Sequence, residues 1–141
     1  MNLVIDTCVF SAAALWDDVF HPVASEFLLE ARLADVAIYE PVLVLAEVAG
    51  VVSRVRNDHA PADAAVLRIE HFPRTRLRVA DGLLAKKAAR LAARHKLSGA
   101  DAHYVAVALE YGCQLITFDQ ELIRRAPPAV PVLTPAAWLR R

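Results

Sequence analysis

Four acidic residues, Asp6, Glu47, Asp101 and Asp119, have the type and placement to do chemistry. Asp6 closes the apolar run Leu3–Ile5, Asp119 follows the run Gln114–Thr117, and Asp101 ends Ser98-Gly99-Ala100-Asp101, a capping-box-like helix start. Each aspartate taken alone has a plain structural reading, because Asp is a favoured N-cap and every helix start has backbone N–H groups to satisfy. Glu47 has no such reading. The spacing places it mid-helix, with Leu43, Val44, Gly50 and Val51 three and four residues away, and the nearest base in that helix is Arg54. A carboxylate on an apolar helical face is costly to bury without a partner, so Glu47 points to function. If the four converge, they repel one another unless protons or a cation neutralise them. All are hard oxygen donors, and neither the five histidines nor Cys8 and Cys113 have zinc spacing, which favours Mg²⁺ or Mn²⁺. Such a centre suits phosphodiester hydrolysis, in which the metal activates water and stabilises the leaving oxygen.

The elements that must position these acids alternate along the chain. Strands are expected at Leu3–Ile5, Val36–Tyr39, Leu77–Val79, Gln114–Thr117 and Val130–Leu133. Helices are expected over Cys8–Leu15, from Pro22, from Pro41 to about Val55, from Pro61 to Phe72-Pro73, from the cap Asp81 through Arg94, from Ser98 to near Gly112, after Asp119, and from Thr134-Pro135. Short apolar strands separated by helices predict an α/β three-layer architecture with a mainly parallel sheet. In such sheets the functional crevice lies beyond the carboxyl ends of the strands, where Asp6 and Asp119 fall. The helix carrying Asp101 must run antiparallel to the fourth strand, which brings its start to the same edge.

Composition narrows the class. The 141 residues are 57% hydrophobic, enough apolar material for one domain spanning residues 1–141 with a single core. No apolar run approaches the ~18 residues of a membrane span. The N-terminus lacks a signal-peptide pattern, and a cytoplasmic location with reduced cysteines is expected. Sixteen bases balance sixteen acids, so no global positive field marks a nucleic-acid binder. The distribution is uneven: residues 1–50 hold eight acids and only Arg32, whereas Arg74–Lys96 holds eight bases and only Asp81. In that basic segment Lys86, Arg90 and Arg94 form a helical stripe, which is either a solvated face or a phosphate track leading RNA to the acids.

The motifs Val4-Ile5-Asp6-Thr7, Leu45-Ala46-Glu47-Val48, Gly99-Ala100-Asp101-Ala102 and Leu115-Ile116-Thr117-Phe118-Asp119, in that order, resemble those of PIN-domain endoribonucleases of the VapC toxin type. The resemblance covers nearly the whole chain. It implies a PIN-like α/β/α fold with strand order 3-2-1-4-5 and a catalytic metal site of Asp6, Glu47, Asp101 and Asp119. Glu47 would ligate the metal or orient its water, and Thr117 would hold a carboxylate in place. It further implies an RNA substrate, a small antitoxin partner and a homodimer. Asp81, at the end of an edge strand, is left as a cap. Cys8 departs from the Asn or Ser frequent at its position, and a thiol is a weaker donor. The alternative is a catalytically weak PIN-like module that binds RNA or protein. A dehalogenase-type phosphatase would need an Asp where Cys8 stands, and a receiver domain would need an acidic pair after strand one.

Overall fold

Short apolar segments alternate with helices from end to end, and each segment joins its neighbour in the same direction. The computed structural model describes residues Met1–Arg141. Its elements are β1 (Asn2–Ile5), α1 (Thr7–Ala14), α2 (His21–Leu33), β2 (Ala37–Pro41), α3 (Val44–Arg56), α4 (His59–Glu70) and β3 (Thr75–Arg78). There follow α5 (Gly82–His95), α6 (Gly99–Tyr111), β4 (Gln114–Ile116), α7 (Gln120–Arg125), β5 (Val132–Leu133) and α8 (Pro135–Leu139). The five strands form one parallel sheet in the order β3-β2-β1-β4-β5, as the resemblance implies.

A parallel sheet must be covered on both faces, and its inner strands show it: Leu3, Val4, Ile5, Leu115 and Ile116 are fully buried. Helix α6 lies across β1, β2 and β4, with α5 packed on α6. The right-handed crossovers that parallel strands require put α1 to α4 on the opposite face, and α1 meets α2, α3 and α4. The buried apolar side chains make one continuous cluster. No helix is long and apolar enough to cross a membrane. The two ends of the chain meet at the amino edge of the sheet, where the Arg141 guanidinium donates to Gln114 Oε1 (2.7 Å) and touches Met1 Sδ.

Two expectations are corrected around β2. Pro41 does not open a helix; it is the last residue of β2, paired with Arg78 of β3, and α3 begins three residues later at Val44. The reason lies in the ladder. Ile38 and Val42 donate their N–H groups to β3, so the intervening odd-numbered residues face β1, and the β1–β2 register ends at Leu3 and Ile38. A proline there gives up a donor that has no acceptor waiting. The later start of α3 also moves Glu47 from mid-helix to its first turn.

Candidate active site

At the carboxyl edge of the sheet the three aspartates separate into different roles. Asp6 holds the N-cap position of α1 but makes no cap hydrogen bond. Its Oδ2 instead accepts from the Thr117 hydroxyl (2.7 Å) and the Cys8 thiol (3.2 Å). The same Thr117 hydroxyl accepts the Asp119 N–H (2.9 Å), so one buried oxygen ties the ends of β1 and β4 together. Asp119 does cap α7: its Oδ1 accepts from Glu121 N–H (2.8 Å) and Leu122 N–H (3.4 Å). The cap of α6 is Ser98, whose Oγ accepts the Asp101 N–H (3.1 Å), which frees the Asp101 carboxylate from that duty. Asp81 caps α5 through Leu84 N–H (2.9 Å) and pairs with Arg78, as its exclusion from the site requires.

Glu47 finds hydroxyls, not a base. Its Oε1 lies 2.9 Å from Thr7 Oγ1 and 2.8 Å from Tyr104 OH, which are themselves 2.5 Å apart. Two hydroxyl protons serve three oxygen contacts, so Thr7 and Tyr104 hold Glu47 as a unit. Thr7 is the residue after Asp6 and Tyr104 lies one helical turn beyond Asp101, which links Glu47 to both of those acids. In Asp6, Glu47 and Asp119 one carboxylate oxygen takes these bonds and the other is left over.

The electrostatics are those of crowded, desolvated acids. Burial raises the Asp6 pKa above the usual carboxylate value, opposed by the Thr117 and Cys8 bonds and reinforced by Glu47. Asp101 is raised by burial first, then by the charge of Asp6, with Asp119 and Glu47 adding to it. Burial and the neighbouring Asp6 push the Cys8 thiol up to about 12, so it remains a protonated donor to Asp6 and is no thiolate nucleophile.

Asp6, Asp101 and Asp119 line one cleft of about 450 Å³, together with Cys8, Phe20 and Phe118. A larger hollow, about 680 Å³ near α2, contains His21, Arg32, Arg68 and His71 but no carboxylate. Glu47 does not line that cleft, but its charge acts on both Asp6 and Asp101. As the side chains stand, no group of three or more Asp, Glu, His or Cys residues is placed to hold a metal ion. In donor chemistry, though not in present spacing, the set suits a hard divalent cation, since it is all carboxylate, partly desolvated and carries unengaged oxygens. Lys86, Arg90 and Arg94 are not brought to this cleft. All three are exposed on α5, and Arg90 and Arg94 line a separate hollow between α5 and α6.

Sequence reasoning missed Glu40. Its carboxyl is fully buried in β2, and its Oε1 accepts the Ile5 N–H (2.6 Å) where a continued β1–β2 ladder would offer a carbonyl. Oε2 has no partner, and burial, with the charge of Asp6 adding to it, holds the pKa well above the usual carboxylate range; the bonded Ile5 is the residue before Asp6. The signal was present: Glu40 shares the strand face of the buried Ile38 by two-residue periodicity. Tyr104 was equally visible, as an aromatic one turn past Asp101 on the same helix.

A family model described as PIN domain matches residues 3–127. The chain belongs to the PIN-domain family. Members of that family are generally nucleases. No curated protein sequence matches this chain. Among solved structures, VapC20 of Mycobacterium tuberculosis, a sarcin–ricin loop cleaving toxin, is 24% identical over 92% of this chain and 98% of its own, with a TM-score of 0.74. FitAcB from Neisseria gonorrhoeae is 20% identical over 95% of this chain and 98% of its own, with a TM-score of 0.69. VapBC2 from Rickettsia felis, bound to a DNA fragment from its promoter, is 14% identical over 95% and 98%, with a TM-score of 0.71. At these identities the PIN domain's likeness to the three is one of fold.

Proposed function

We propose that this PIN domain is a Mg²⁺- or Mn²⁺-dependent endoribonuclease, the toxin of a pair in which a small antitoxin protein restrains it. The reading rests above all on Asp6, Asp101 and Asp119, which come from three distant parts of the sequence and share one cleft. The names of the relatives support it: one is a toxin that cleaves the sarcin–ricin loop, and another is a VapBC2 complex.

In this proposal Asp6, Asp101 and Asp119 hold the cation, which when bound supplies Lewis acidity at the phosphate and lowers the pKa of the attacking water. Glu47, with Oε1 occupied by Thr7 and Tyr104, presents Oε2 to orient that water and take its proton. Thr117 keeps Asp6 and Asp119 in register. The basic residues of α5, Lys86, Arg90 and Arg94, serve RNA by attracting phosphates at a distance from the acids. A homodimer and a cytoplasmic setting are part of the same reading.

The purified chain is expected to cut RNA internally with Mn²⁺ or Mg²⁺ and to stop on chelation. Asp6→Asn should lower the rate by about 100-fold or more while leaving the fold intact by circular dichroism. Cutting that continues in chelator and in Asp6→Asn overturns the metal mechanism. RNA binding without cutting replaces the nuclease with a binding module.

A further inference from the structure

The cleft that holds the aspartates is not acidic throughout. Phe20 and Phe118 form part of its wall, their ring centroids 4.2 Å apart and their planes 13° from parallel. Phe118 lies between Thr117 and Asp119, and its N–H donates to Cys8 Sγ (3.4 Å), so the network that fixes Asp6 also fixes this ring's backbone. Phe20 stands at the start of α2, in the turn Leu15–Phe20 that follows α1. That turn is held from within: Asp18 Oδ1 accepts the Phe20 N–H (2.8 Å), and the Asp18 carbonyl accepts the His21 N–H (3.0 Å). Phe118 packs against the core, whereas Phe20 keeps 45% of its surface exposed. Leu15, and Val51 and Val55 of α3, add apolar surface to the same cleft.

An exposed phenyl ring stacked on a second ring, beside metal-type carboxylates, is surplus to core packing. Its fixed backbone and flat π-face suit a planar partner, since the ordering cost is already met. Resting on the ribonuclease reading above, we infer that the Phe20–Phe118 pair is a stacking platform for the nucleobase next to the scissile phosphate. The substrate is then RNA whose base at the cut is splayed out of any helix: a single strand, loop or bulge. In a duplex both faces of each base are already stacked, so a platform of this kind has nothing to accept. Because every base has a π-face, the ring selects for exposure of the base more than for its identity. The cleft's about 450 Å³ is in the size range of a small-molecule pocket, as one nucleotide requires.

The test compares Phe20→Leu, which keeps apolar bulk and loses planarity, with Phe20→Tyr, which keeps the ring. Single-stranded RNA oligonucleotides are used with a base at every position, or with an abasic ribose at one position flanking the cut. Binding is read by fluorescence anisotropy, cleavage by kcat/KM, and the metal site by Mn²⁺ titration without RNA. Phe20→Leu should weaken RNA binding by about 5- to 100-fold and raise KM correspondingly, with Mn²⁺ affinity unchanged and Phe20→Tyr close to the parent. One abasic RNA should suffer the same loss with the parent protein and no further loss with Phe20→Leu, because both changes remove one contact. A duplex of the same sequence should be bound no differently by parent and variant. If Phe20→Leu equals the parent, or if the abasic and Phe20→Leu penalties simply add, the platform is refuted and the ring is left as a surface for a protein partner. RNA that is bound through Phe20 but never cut removes the nuclease and keeps the platform. RNA cut equally by all three proteins does the reverse, and no RNA binding at all removes both.

Discussion

Thr117 is the smallest part of this site with the widest reach. One hydroxyl donates to Asp6 and accepts from the backbone of Asp119, so Thr117→Val, which keeps shape and removes the oxygen, breaks both bonds at once. We expect Mn²⁺ affinity to fall about 10- to 100-fold by calorimetry. Stability should drop by about 1–3 kcal/mol in urea titration, the cost of a buried donor left without its acceptor. Thr117→Ser should restore most of both. The candidate acids were legible in the sequence because a strand end and a helix start leave few places for a charge. Their division of labour was not, since capping fits all three aspartates equally on paper. In the folded chain Asp119 caps, Asp6 is taken by Thr117 and Cys8, and Asp101 is relieved by Ser98. Glu40 escaped because the second strand was expected to end at Tyr39, one residue short of it.

Among the elements, α6 has the most exacting task, since its first turn carries Asp101 to the cleft and its next turn carries Tyr104 to Glu47. Ser98→Ala removes the side-chain cap of that turn and should cost about 1 kcal/mol in thermal or chemical denaturation. Hydrogen exchange should speed up at the Asp101 amide, and Ser98→Asp should preserve the protection. Helix starts marked by Ser98, Asp81 and Thr134 were readable because a capping side chain is a local signal, and all three act as caps in the structure. Pro41 misled for the converse reason. Proline at the start of a helix and proline at the end of a strand are locally alike, and only the missing β1 partner on that side of β2 decides between them.

At the scale of the whole molecule, the buried acid in β2 makes stability depend on pH. Glu40 holds its proton more tightly folded than unfolded, so above the ordinary glutamate value of 4.5 the native state binds the extra proton. Stability then declines as pH rises toward the raised folded value. Glu40→Gln keeps an oxygen for the Ile5 N–H and cannot ionise. Its melting temperature should therefore draw ahead of the parent's as pH increases from about 4 to 8, and a difference constant across that range would refute the assignment. Asp6 and Asp101, also raised, titrate in both proteins, so the difference between the two curves reports Glu40 together with its coupling to Asp6. The alternation of strands and helices was enough to foresee a parallel sheet, because parallel strands need crossovers of that length. The strand order came from resemblance to a family, as nothing in a lone sequence states which strands are neighbours.

Met1 and Arg141 lie side by side at the amino edge of the sheet, and the aspartates sit at the opposite edge. Tethered to a bead, a surface or a fused protein by either end, the molecule would present its cleft outward, clear of whatever holds it.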